Sequence, residues 1–128
     1  MAEGKTPPTI TLTPFGRNVR VEFGGATVAD SDGALVLREG RLPPVLYIPK
    51  ADVNWQLTEA TDRSTHCPYK GDASYWSVSA NGQTAENAIW AYPQAIDSVA
   101  AIRGCVALYW DKMDAWYLGG EKAVAADF

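Results

Sequence analysis

Asn81-Gly82 restricts the possible folds of this chain more than any other pair of residues. It separates two strand-like runs, 73–80 and 85–92, and a type I′ turn needs two central residues that tolerate positive φ. The spacing predicts a long β-hairpin. Upstream, Val19, Val21 and Phe23 alternate with Arg20 and Glu22, the period-two pattern of a half-buried strand, and Gly24-Gly25 turns the chain into 26–29 as a second hairpin. A turn at Asp30-Ser31-Asp32-Gly33 then sends 34–37 back to pair, and Pro43-Pro44 delays the next strand, 45–48. A three- or four-stranded meander is expected.

Pro49 suits the first turn of a short helix running to Val53, because its missing N–H has no partner there in any case. Ala95, Ile96, Val99 and Ile102 recur at helical spacing, with Arg103 in the last turn and Gly104 as the stop, which predicts one short helix near residues 94–103. Residues 105–110 and 115–118 read as two closing strands around a turn at 111–114. The fold class is mainly β.

At 128 residues the chain suits a single domain over 1–128. Folding at this size removes about two-thirds of the unfolded surface from water. An ordered core over about 9–118 is expected between two loose ends, 1–8 and the stretch from Gly119 onward, which break at Gly and Pro or carry small polar residues. With 47% hydrophobic and 20% charged residues the chain is too apolar to be disordered. Five Trp and six Tyr combine apolar bodies with polar tips, as in a core that opens onto a wet pocket.

The net charge of −4, from 11 Lys and Arg against 15 Asp and Glu, comes with no basic stripe, so nucleic acid is not an expected partner. The apolar runs are far shorter than the roughly 20 residues of a membrane helix. MAEGKTPPT lacks the apolar core of a signal peptide, so no membrane partner and a cytoplasmic location are expected. In that compartment Cys67 and Cys105 read as free thiols.

His66 to Ser77, HCPYKGDASYWS, gathers a thiol, an imidazole, an ammonium and three aromatic rings into twelve positions. Such a segment leading into a strand marks the mouth of a ligand pocket. Lys70, followed by Gly71, can reach an anionic group from a turn, although most lysines are simply solvated. Tyr75 and Trp76 point to opposite faces of their strand, so one of them shares the pocket face. Trp90 and Tyr92, two residues apart across the hairpin, form either an aromatic wall or ordinary core.

Glu39, Tyr47 and Asp52 fall at strand ends where a carboxylate or phenol can meet the pocket rim, and Asp52 serves equally as a cap for the short helix. The expected ligand-binding set is therefore Glu39, Tyr47, Asp52, Lys70, Tyr75 and Trp90, around a small polar or anionic molecule. Cys67 is a weak candidate nucleophile, with packing in the turn as the stronger alternative. Catalysis by Cys67 or a carboxylate, and a protein-interaction module, stand as the alternatives to ligand binding.

The order VRVEFGGATVADSDGALVLRE, LPPVLYIPKADVNWQL, THCPYKGDASYWS, NAIWAYP resembles the bacterial family called domain of unknown function 427, over roughly residues 15–118. The resemblance implies a β-tent-like arrangement of bent antiparallel sheets. Some members of that family carry a nucleotidyltransferase label. The residues do not supply that chemistry: no clustered carboxylates for magnesium and no GxxxxGK[ST] loop are visible, and Asp30-Ser31-Asp32 is explained by turn geometry. Nor do Cys67, Cys105 and His66 amount to the paired CxxC zinc site of other β-tent proteins, so no cofactor and no metal are expected.

Overall fold

The structure, a computed structural model, describes residues 9–126 and 128. The loose end expected over 1–8 lies outside them. Eleven strands follow in order: β1 (Ile10–Pro14), β2 (Val19–Phe23), β3 (Ala26–Ser31), β4 (Leu35–Glu39), β5 (Val45–Pro49), β6 (Thr58–Cys67), β7 (Gly71–Ala80), β8 (Gln83–Ala91), β9 (Cys105–Leu108), β10 (Ala115–Leu118) and β11 (Glu121–Ala123). They make two antiparallel sheets. One has seven strands in the order β1-β4-β5-β9-β8-β7-β6, and the other has four in the order β11-β10-β2-β3.

Both expected hairpins form. Asn81 and Gly82 have φ of 51° and 82°, as a type I′ turn demands, and join β7 to β8. Gly24 joins β2 to β3 at a φ of 60°, and a Cβ there would lie 2.6 Å from the carbonyl oxygen of Ala80. Only glycine allows the two hairpin turns to approach so closely. Asp114 accepts from the Gly24 N–H at 2.8 Å, and the Asn81 amide donates to the Gly24 carbonyl, so both sheets are tied at this point.

The expected meander does not form. β3 ends in the four-stranded sheet, whereas β4 pairs with β1 and β5 in the other. The segment 30–33 is a corner between sheets and not a hairpin turn. Asn18 explains why: its amide donates to Asp30 at 2.8 Å and to Asp32 at 3.0 Å, pinning the corner to the start of β2. The closing strands separate in the same way, with β9 between β5 and β8 and β10 between β2 and β11.

The helix expected over 94–103 is a 3-10 segment, Asp97–Gly104, interrupted at Val99, whose φ and ψ of −127° and 32° are not helical. Val99 and Ile102 are buried as expected, but Ile96 is exposed. The short helix after Pro49 is a single 3-10 turn, Lys50–Asp52. Past the expected core boundary at 118, Gly119-Gly120 turns the chain so that β11 pairs with β10.

The inner strands of the seven-stranded sheet carry buried side chains on both faces. Val36, Leu46, Ile48, Val78, Val106 and Leu108 pack toward Val19, Val21, Phe23 and Val28 of the smaller sheet. Leu37, Tyr47, Ala73, Tyr75, Cys105 and Ala107 face the other way, under Ala95, Val99 and Ile102. Period-two geometry therefore gives this sheet two cores, and the second is where it opens to solvent.

Candidate functional site

The side chains on that second face wall one end of a cavity of about 460 Å³, and Leu46, Leu108, Trp110, Trp116 and Phe128 of the first core wall the other. Such a volume lies in the range of about 300–1,000 Å³ that small-molecule sites occupy. Each wall follows from strand alternation. Glu39 continues the face of Leu35 and Leu37 on β4, Tyr47 that of Val45 on β5, and Tyr75 that of Ala73 on β7. Trp90 stands directly opposite Tyr75 in the β7–β8 ladder, and Tyr92 follows it on the same side. Trp76, on the reverse face, packs edge-on to Trp55 at 5.3 Å and takes no part.

Lys70 enters from the turn between β6 and β7. The Lys70 N–H donates to the Cys67 carbonyl at 3.1 Å, closing the turn, and the Lys70 carbonyl accepts from Ile96 N–H at 2.9 Å. This docks the CPYKG turn on the segment after β8, so the Lys70 stem runs inward. Its ammonium meets Glu39 at 2.5 Å, with the two side chains only 10% and 12% exposed. The pair forms the polar end of the cavity, and Lys70 Nζ stands 6.0 Å from the Tyr92 ring centre.

The phenols around this pair are held largely neutral. Burial pushes Tyr47 well above its ordinary value, opposed in part by the Trp90 indole. Burial also pushes Tyr92 up to about 12, helped by Cys67 and Tyr75 nearby. Burial acts to raise Tyr75 as well, but the polar contacts of Thr65, Arg63 and Tyr109 together outweigh it and bring this phenol down. Thr65 Oγ1 lies 2.8 Å from Tyr75 Oη, and the Arg63 guanidinium stands 4.9 Å from the ring centre. Tyr109 moves up, through burial and then through Tyr75.

The other end of the cavity is apolar. Leu42, Pro43 and Pro44 from the β4–β5 loop face Trp110, Trp116 and Phe128. Trp110 and Trp116 stack at 4.2 Å with a 9° interplanar angle, and Phe128 closes on Trp110 at 6.3 Å. These rings had no legible role in the sequence. The Trp116 indole N–H donates to the Trp110 carbonyl at 3.1 Å, a contact across six residues that no local period announces.

Of the residues expected at the site, Glu39, Tyr47, Lys70, Tyr75 and Trp90 line one cavity. Asp52 does not. Its carboxylate accepts from Ser31 Oγ at 2.6 Å at the corner after β3, because the 3-10 turn at Lys50–Asp52 packs on β3 and faces away from the opening. Cys67 is half-buried outside the cavity wall, with Lys70 Nζ 3.7 Å from its sulfur. His66 points to solvent, 2.7 Å from Asp72. Among the described residues no three His, Cys, Asp or Glu side chains converge as metal ligands.

Residues 11–119 match the family described as Domain of unknown function (DUF427). The chain belongs to this family. No curated protein matches it. Within the DUF427 domain, the match takes in every strand from β2 to β10, together with Glu39, Lys70 and the rings of the polar end. No helix among the described residues is long and apolar enough to cross a membrane.

Proposed function

We propose that this DUF427 domain binds a small polar molecule in the cavity, with the ligand's polar end against Lys70 and Glu39 and its body along the aromatic walls. The observation that supports this reading is the buried ion pair placed at one end of an otherwise ring-lined concavity. Desolvating a charged pair is costly, and a fold that needed only stability is served as well by apolar side chains there. The net charge of −4 favours a small molecule over nucleic acid as the partner. The sheets read as a β-tent-like arrangement, a view supported by the register shifts that bend β2, β6 and β7.

The test is a thermal-shift screen over small molecules, run beside Val45→Trp, which fills the cavity from β5. A ligand of this site raises the melting temperature of the native chain and not of the filled variant. Equal shifts in both would refute the assignment. A catalytic version has one observation in its favour, the lowered Tyr75 phenol beside Arg63 and Thr65. It expects Tyr75→Phe to keep binding but abolish conversion of the bound molecule.

A further inference from the structure

We infer that the polar end of the cavity selects a neutral lactam edge, an N–H beside a C=O on a flat ring, over an anion or a cation. This rests on the binding reading above and concerns which chemistry it accepts. Lys70 and Glu39 are 2.5 Å apart, so an approaching carboxylate meets attraction and repulsion together and gains little net charge stabilisation. An organic cation fares no better. The position in front of the aromatic rings is already held by the Lys70 ammonium, 6.0 Å from the centre of Tyr92.

What the pair does offer is a donor next to an acceptor. Glu39 uses Oε1 toward Lys70, and its second oxygen makes no hydrogen bond among the described residues. The ammonium has three N–H groups, of which Glu39 and the Cys67 sulfur engage two. A lactam edge matches this in one plane: its C=O accepts from Lys70 and its N–H donates to Glu39. The two bonds are charge-assisted, yet the ligand brings no charge to desolvate. Tyr47 and Tyr92, phenols with an ordinary pKa near 10 that burial raises further, are uncharged beside it at neutral pH. Trp90 and Tyr109, 4.5 Å apart, supply flat faces for the ring. The apolar remainder of the lining favours a carbon-rich heterocycle.

Four bicyclic probes of nearly equal size decide the matter by titration of the full chain, followed by tryptophan fluorescence or calorimetry: isoquinolin-1(2H)-one, its N-methyl derivative, 1-naphthoate and the permanent cation 2-methylisoquinolinium. The lactam is expected to bind about tenfold or more tighter than each of the others, a difference of about 1.4 kcal/mol. N-methylation replaces the donor to Glu39 with a methyl group, so its effect reports on that edge of the ligand without altering the protein. In Glu39→Gln, the freed Lys70 charge is expected to bring naphthoate level with the lactam or ahead of it. Naphthoate or 2-methylisoquinolinium binding the native chain as well as the lactam would overturn the inference while leaving the cavity a binding site. Equal affinity for the N-methyl derivative would overturn it too. Binding of none of the four would overturn the lactam inference, while the cavity reading is decided separately by the thermal-shift screen against Val45→Trp.

Discussion

Removing one member of the Lys70–Glu39 pair perturbs both fold and site, and the structure sets the size of the effect. The side chains are 10% and 12% exposed, so Lys70→Met strands a carboxylate that water reaches only through the cavity mouth. Breaking a buried pair from one side typically costs about 3–5 kcal/mol. Partial hydration from the cavity places Lys70→Met and Glu39→Leu near the lower end, about 3 kcal/mol each. For 128 residues this corresponds to a melting temperature lower by roughly 10 °C. The double variant leaves no orphan charge and should return to within about 1 kcal/mol of the native chain. Urea unfolding of all four proteins yields the cycle, with a coupling energy of about 5 kcal/mol or more expected. Single substitutions costing under about 1 kcal/mol that simply add in the double variant would refute the burial argument, since such values belong to surface pairs.

Further consequences reach the rest of the fold. Tyr47 and Tyr92 have raised pKa values in the folded state, so the stability they confer is intact below the ordinary tyrosine value near 10 and is lost as pH rises. Urea titrations should show stability falling by up to about 1.4 kcal/mol per pH unit per tyrosine above pH 10, with a shallower fall in Tyr92→Phe; an unchanged slope in that variant would contradict the assignment. Gly24→Ala combines a positive φ with a backbone clash at 2.6 Å, whereas Gly82→Ala meets nothing within 4 Å, so calorimetry should find the first more damaging than the second, which costs about 1–2 kcal/mol. Asn18→Ala should lower stability by about 1–2 kcal/mol by releasing the Asp30–Asp32 corner. Millimolar magnesium should leave the native melting temperature unchanged; a clear rise would reopen a metal-binding role for those carboxylates.

Local chemistry made much of the fold legible. Asn81-Gly82 and Gly24-Gly25 announce their hairpins because few residues accept positive φ, and the alternation of Val19, Val21 and Phe23 fixes which face of β2 is buried. Sheet membership is decided differently. The chain leaves one sheet for the other at Asp30–Gly33 through contacts with Asn18, a dozen positions upstream, and a turn signature cannot distinguish a hairpin from such a corner. β6 carries no strand signature, since Thr58–Cys67 is polar nearly throughout and lies at the sheet edge, where burial imposes little pattern. The helical period over 94–103 was real in its buried residues but broke at Val99, where packing under the sheet overrides it.

The site divides along the same line. Lys70, Tyr75 and Trp90 were legible because a turn and a hairpin place them within a few residues of a chemically crowded segment. Glu39 and Tyr47 were legible as strand-end polar groups, but so was Asp52, and only the corner contact with Ser31 separates it from them. Tyr109, Trp110, Trp116 and Phe128 reach the cavity through the crossing from one sheet to the other, which has no signature in local sequence.

The five tryptophans provide the most direct test of the cavity itself. Trp90, Trp110 and Trp116 line it, whereas Trp55 and Trp76 form a separate edge-on pair outside its lining. Titrating isoquinolin-1(2H)-one into isotopically labelled protein and following the five indole N–H resonances compares the two groups within one sample. The account predicts saturable shifts for Trp90, Trp110 and Trp116, with Trp55 and Trp76 unmoved. Shifts confined to Trp55 and Trp76, or equal at all five, would place any binding elsewhere and contradict it.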